Sequence, residues 1–240
     1  AKWRVRRRSL EVISMKKTYN IAIGGPAGAG KSSIARRVAE KLGFVYVDTG
    51  AMYRAMALYF LRKGFDLKDE DKVGKACREI SVDIRYENGE QQVLLNGENV
   101  SGLIRTEEVG NAASAISAYP AVRAALLELQ RTLARTSDVI MDGRDIGTLV
   151  LPEADCKIYL TASTKVRAVR RYKELEEKGT VCSLEEIERD IIERDNRDMN
   201  REIAPLTQAE DAVYLDASAM TIDQVVEKII ALARERGLEQ

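Results

Sequence analysis

Gly25-Pro26-Ala27-Gly28-Ala29-Gly30-Lys31-Ser32, followed by Ser33, matches the spacing G-x-x-x-x-G-K-[S/T]. An apolar run precedes it and a helical pattern follows, which is the context this spacing needs to bind phosphate. Glycines let backbone N–H groups turn inward around phosphate oxygens, and the amino end of a helix adds roughly half a positive charge. Lys31 suits the β- and γ-phosphates, and the Ser32 hydroxyl suits Mg²⁺ carried by ATP. The guanine-reading tetrapeptide N-K-x-D is absent, so ATP is the expected nucleotide.

A second group of charged residues follows predicted strands. Asp48-Thr49-Gly50-Ala51-Met52-Tyr53-Arg54 comes after one and Asp142-Gly143-Arg144-Asp145 after another. Ligands of open α/β sheets collect at the carboxyl ends of strands. Arginine forms bidentate hydrogen bonds to phosphate oxygens, so Arg54 and Arg144 are candidates to hold a second anion. The alternative is that the two aspartates cap helices and the arginines are solvated.

Ser183 and Glu186 have the spacing of a capping box, and Ile187, Ile191, Arg194, Asp198 and Arg201 recur at helical intervals on one face. That face is apolar at its start and charged at its end, as in a helix that packs on the core and carries cations to a site. A surface ladder pairing Arg194 with Asp198 would give the same pattern. Arg167, Arg170 and Arg171 stand just before the polar stretch 174–180. They are read either as cations of a lid or as a solvated helix face.

The chain contains no histidine. Ser-His-Asp and Cys-His machinery, and histidine-ligated zinc, are therefore excluded. Cys77, Cys156 and Cys182 are odd in number and form no C-x-x-C pair; they read as packing thiols in a reducing, cytoplasmic setting. With 38 basic and 38 acidic residues the formal charge is zero. Residues 1–14 hold five of the basic and one of the acidic residues, so the remainder carries a net charge of −4. This basic arm is expected to be a non-native or disordered extension. An acidic body with 5% aromatic residues argues against a nucleic-acid motor, which stacks bases on aromatic platforms. No apolar run approaches the length that spans a bilayer.

The elements that must position these residues alternate short apolar runs with helical stretches, the pattern of a parallel α/β sheet. Strands are predicted at 19–23, 44–47, 139–141, 157–161 and 213–215, with helices at about 31–42 and 221–236. Between 68 and 104 the period changes to two. Asn88-Gly89 supplies a two-residue turn, which places Ile84 opposite Val93 and Val82 opposite Leu95. A second reversal is expected at Asn96-Gly97.

Taken together, D-T-G-A-M-Y-R, V-S-G-L-I-R-T, N-A-A-S, D-G-R-D-I-G-T and E-R-D-N-R-D-M-N-R with A-P-L, in order behind the phosphate loop, resemble the bacterial cytidylate kinase family. The resemblance runs from about residue 19 to 236. It implies the P-loop nucleoside monophosphate kinase fold, an α/β architecture with a five-stranded parallel sheet flanked by helices. The core would be 15–67 and 105–240, with a monophosphate-binding insertion at 68–104 and a short lid at about 170–182.

Carried over residue by residue, the resemblance implies that Thr49, Arg54, Arg144 and Arg201 hold the CMP phosphate, with Asp142 among the acceptor contacts. Arg194 and Asp198 would lie at the ribose, and Ser114, Arg123 and Asp145 at the cytosine edge. Asp145 can accept from an exocyclic amine that uracil lacks, and Arg123 can donate to N3 and O2. Lys31, Arg144, Arg201 and Arg170 would stabilise the transferred group, with Arg170 and Arg171 also contacting ATP. Gly24 stands where many members carry Asp, so no outer-shell carboxylate contact to Mg²⁺ is expected from that position; Ser33 stands where Thr is common. The expected enzyme converts ATP and CMP, with dCMP alongside, to ADP and the diphosphate, as a monomer without nucleic-acid or membrane partners. The rivals are a kinase for AMP, UMP or shikimate, a nucleic-acid-dependent ATPase, and a non-catalytic nucleotide-binding module.

Overall fold

A computed structural model describes residues 17–239; the basic arm at 1–14 lies outside them. In chain order the elements are β1 (Asn20–Gly24), α1 (Lys31–Leu42), β2 (Val45–Asp48), α2 (Thr49–Arg62), α3 (Glu70–Ala76), β3 (Val82–Glu87), β4 (Glu90–Leu95) and β5 (Glu98–Asn99). There follow α4 (Glu107–Ile116), α5 (Pro120–Thr136), β6 (Val139–Asp142), β7 (Cys156–Thr161), α6 (Thr164–Glu177), α7 (Leu184–Asn200), β8 (Val213–Asp216) and α8 (Ile222–Glu235). A 3₁₀ turn covers Cys77–Glu79 and a π-helical turn covers Ile146–Val150.

The main sheet is parallel throughout, in the order β2-β6-β1-β7-β8. Its central strand β1 is apolar on both faces because helices cover both, so it reads as a continuous hydrophobic run. On one side Ile34, Val38 and Ala39 of α1 and Val225, Val226 and Ile229 of α8 pack with Ile21, Ile23 and Ile158. On the other, Met52, Met56 and Phe60 of α2 pack with Val47, Met141 and residues of α4 and α5. β1 and β2 each lie one residue later than their predicted ranges, and β6, β7 and β8 differ from theirs by one residue at one end. Parallel pairing extends as far as neighbours allow, whatever the local hydropathy.

The antiparallel insertion has the predicted register, with Ile84 opposite Val93 and Val82 opposite Leu95. Asn88 and Gly89 take φ of 53° and 80°, and Asn96 and Gly97 take 48° and 85°, the positive angles that such reversals require. The insertion also carries α3, capped by Asp69 through Lys72 N. Val73, Val93, Leu95, Val100 and Ile104 share one apolar cluster with α2.

Two hairpin side chains dock on β2. Gln91 accepts from Asp48 N at 2.9 Å and donates to Asp48 O at 3.2 Å, while the Tyr86 hydroxyl donates to Tyr46 O at 2.9 Å. α6 runs through Glu177, so much of the expected lid range is helix and 178–183 is the link to α7. Ser183 caps α7 by accepting from Glu186 N, but its hydroxyl donates to Glu185; a reciprocal box forms instead at Thr221 and Gln224 of α8. Cys77, Cys156 and Cys182 are free thiols, the first two buried. Among the described residues no helix is long and apolar enough to cross a membrane.

Candidate active site

The strand ends Gly24, Asp48 and Asp142 lie side by side, and the chemistry-bearing loops leave from them. After β1 the loop turns through Gly25, Gly28 and Gly30 at φ of 142°, 74° and 88°. A Cβ on Gly25 would stand 2.0 Å from Leu160 O, so only glycine fits there. Gly30 begins α1 with no side-chain cap, which leaves the helix's first amides to an external anion.

Lys31 is buried and donates to Pro26 O at 2.6 Å. Burial, and then the charge of Arg144, push its ammonium below the usual lysine range, with Asp142 opposing. The Ser32 hydroxyl donates to Asp142 Oδ2 at 2.8 Å, and the Tyr46 hydroxyl donates to Asp142 Oδ1 at 3.1 Å. Burial, and next the charge of Asp48, raise the Asp142 carboxyl above its ordinary range. A hydroxyl and a carboxylate meeting beside the phosphate loop are hard oxygen donors that fit Mg²⁺. Asp142, expected among the acceptor contacts, accepts here from Ser32 beside the phosphate loop and from Tyr46. At the end of β6 the Asp142 carboxylate is held by Ser32 of α1 and Tyr46 of β2.

A cleft lies beyond this loop. Thr49 and Arg54 enter it from α2, Ser114 from α4, Arg123 from α5, Arg144 and Asp145 from the loop after β6, and Arg194, Asp198 and Arg201 from α7 and its end. Thr49 Oγ1 donates to Asp142 O at 2.7 Å. Arg144 Nε donates to Asp198 Oδ2 at 3.1 Å, and Arg201 Nε donates to Ala204 O at 2.5 Å. Arg123 donates to the Asp145 carboxylate, with both side chains nearly buried.

The cations crowd one another. Burial, then Arg105, lowers Arg54; burial, then Arg144, pushes Arg194 down to about 10; and burial lowers Arg201. Arg194 Nε is buried without a hydrogen-bond partner among the described residues. A cleft with such an excess of desolvated positive charge favours an anion of more than one charge. Arg144 and Arg194 both act electrostatically on Lys31, so the phosphate loop and the cleft share one field.

The alternatives for the strand-end residues divide. Asp48 does cap α2, accepting from Ala51 N at 2.9 Å, and it also accepts from Arg105 at 2.6 Å. Arg54 and Arg144, however, are half-buried in the cleft rather than on an open surface. Nor does Arg194 pair along α7 with Asp198, since that carboxylate is taken by Arg144 from another element. Of the helix-α6 cations, Arg170 donates to Ala217 O at 3.1 Å and, more weakly, to Ala29 O at 3.5 Å. Arg171 pairs with Glu174 on the surface. Arg167 is neither a lid cation nor solvated, because it is buried against Asp195. Ser33 is exposed on α1.

The protein-family model described as Cytidylate kinase matches residues 21–235, nearly the whole described chain. The chain belongs to the cytidylate kinase family. The cytidylate kinase of Ligilactobacillus salivarius is 46% identical over 93% of this chain and 100% of its own, and that of Desulfitobacterium hafniense is 46% identical over 92% and 95%. A solved shikimate kinase from Acinetobacter baumannii, in complex with shikimate, is 17% identical, with a TM-score of 0.45 over 92% of this chain and 96% of that one.

This cytidylate kinase family member also lines the cleft with residues that sequence reasoning passed over. Tyr53 lies under the Arg123 guanidinium at 5.8 Å; its spacing of four from Thr49 was a helical signal for a shared face. Ser117 accepts from Arg201 at 3.2 Å and donates to Ser114 O at 2.8 Å, one turn beyond Ser114. Gly143 admits no side chain, because a Cβ would stand 2.7 Å from Thr49 Oγ1 and from Ile146 Cδ1.

Proposed function

We propose that this protein transfers the γ-phosphoryl group of ATP to the phosphate of CMP, and of dCMP, giving ADP and the pyrimidine nucleoside diphosphate. The observation that supports this most directly is that Arg54, Arg144 and Arg201 share a cleft with Ser114, Arg123 and Asp145. That combination suits one ligand with a dianionic end and an amine-bearing base edge. Asp145 accepts from the N4 amine of cytosine, whereas the carbonyl of uracil would face it with two acceptors. Thr49, Arg54, Arg144 and Arg201 take the acceptor phosphate, and Arg194 and Asp198 take the ribose.

The acceptor oxygen of a monophosphate is already largely ionised at pH 7. No general base is required, which accounts for chemistry without histidine. Lys31, Arg144, Arg201 and Arg170 neutralise the oxygens of the moving group, and the loop 25–33 with Arg170 and Arg171 holds ATP. Arg144 is steadied by Asp198, and Arg201 by Ala204 O and Ser117. Their charges are thus oriented before reaction, which is where electrostatic stabilisation is most effective. Ser32 and Asp142 hold Mg²⁺, which when bound with ATP offsets charge on the β- and γ-phosphates. Closure of the insertion 68–104 and of a lid near 170–182 over the core would exclude water that hydrolyses ATP. The same reading makes the protein a monomeric cytoplasmic enzyme of pyrimidine nucleotide metabolism.

The test is a coupled assay over CMP, dCMP, UMP, AMP and shikimate. Diphosphate formation with CMP and dCMP well above UMP and AMP is expected; a preference for another acceptor, or ATP hydrolysis without transfer, overturns the reading.

A further inference from the structure

Arg167 and Asp195 form an ion pair with 4% and 8% of their side chains exposed. Arg167 approaches the carboxylate with both terminal nitrogens, Nη1 at 3.1 Å from Oδ1 and Nη2 on Oδ2. The same guanidinium donates through Nη1 to Ala27 O at 2.9 Å and through Nε to Ala162 O at 2.9 Å. Its stem backs the phosphate loop at Gly28, where a Cβ would lie 3.5 Å from Arg167 Cβ. One planar group therefore ties the loop, the end of β7 and helix α7 together. Asp195 follows Arg194 directly and precedes Asp198 by one turn, and both of those residues line the acceptor cleft.

Such a pair adds little net stability, since an apolar pair of the same volume often does as well or better. An apolar pair cannot, however, hold a carbonyl of the phosphate loop in a set direction. A planar five-donor fork does, because each of its bonds fixes the others.

We propose that Arg167 and Asp195 are positioning residues that couple the two substrate sites: the conformation of the phosphate loop and the placement of Arg194 and Asp198 on α7 form one linked equilibrium. Neither residue lines the cleft. The proposal rests on the assignment of the loop to ATP and the cleft to CMP. Coupling of this kind is reciprocal, so each ligand must tighten the other by the same factor.

The experiment is calorimetric titration of CMP with and without a saturating non-hydrolysable ATP analogue, repeated in the reverse order. In the unaltered protein a coupling of about fivefold or more is expected. In the double variant Arg167→Met with Asp195→Leu, which removes both buried charges, the factor falls to about one while each ligand still binds alone and thermal unfolding remains cooperative. Thr164→Val removes the other α6–α7 side-chain bond, from Thr164 to Glu188, and keeps the full factor. If the double variant does not fold, Arg167→Lys decides: it keeps the charge, loses the fork to Ala27, and is expected to lose most of the coupling. A folded variant with unaltered coupling overturns the proposal, as does an unaltered protein that binds both ligands independently. An unaltered protein that binds neither refutes the assignment of the sites, and the proposal falls with it.

Discussion

The guanidinium of Arg123, on α5, donates to the carboxylate of Asp145, after β6, with 13% and 7% of the two side chains exposed. The ion pair is held nearly buried at one end of the cleft. Removing the charge of Asp145 leaves a buried cation without its partner, and such losses are costly. Asp145→Asn is therefore expected to lower kcat/KM for CMP and to reduce the preference for CMP over UMP by about 10- to 100-fold, since a good base contact is worth about 1–3 kcal/mol. Steady-state rates with the two nucleotides measure this. An unchanged ratio would remove Asp145 from base recognition.

The charge of Arg144, second only to burial, lowers the Lys31 ammonium, so the cleft and the phosphate loop are electrostatically joined. Lys31→Ala and Arg144→Ala are expected to lower kcat by about 10³-fold or more, the scale set by losing one transition-state cation. Unfolding curves alongside the rates separate this from misfolding, because neither side chain belongs to an apolar cluster. Near-normal turnover in either variant contradicts the assignment.

Adjacent glycines make a controlled pair. A methyl group on Gly25 meets Leu160 O at 2.0 Å at a φ of 142°, whereas one on Gly24 meets Arg144 O at 3.4 Å, an ordinary contact. Gly25→Ala should displace the loop, lose ATP binding and cost about 1–3 kcal/mol of stability. Gly24→Ala should retain both properties. Nucleotide titration followed by thermal unfolding distinguishes the two, and equal behaviour would contradict the loop geometry.

Burial pushes the Cys156 thiol up to about 11, from an ordinary value of 9.0. The unfolded chain therefore loses this proton first as pH rises. Stability should be unaffected below pH 9, fall between about 9 and 11, and level off above, with about 2–3 kcal/mol lost in that window. Cys156→Ala should make the decline shallower in denaturant unfolding measured from about pH 8 to 11. A decline just as steep in Cys156→Ala would show that this thiol has no part in it.

What could be read from the sequence depended on how local its cause was. The hairpin register was legible because a two-residue turn and a period of two determine it between neighbours in the chain. The phosphate loop was legible because its glycines stand at fixed positions. Ser114 and Arg123 were reached through family resemblance alone, as an alanine-rich helix hides a polar contact. The fates of Arg167 and Asp142 were not legible. Their partners lie 28 and 110 residues away, and only the packing of α6 on α7 and of β6 beside α1 selects them. The strand order likewise depends on crossovers that hydropathy does not record.

The side-chain amide of Gln91 has a further consequence. β2 is a border strand, and an open border offers a row of unpaired donors and acceptors on which another chain's strand can grow. Gln91 answers both main-chain groups of Asp48, and Tyr86 answers the carbonyl of Tyr46 two residues earlier. Two side chains thus do for the border what a sixth strand would do. The antiparallel insertion thereby shields the border of the main sheet from fibrous self-association.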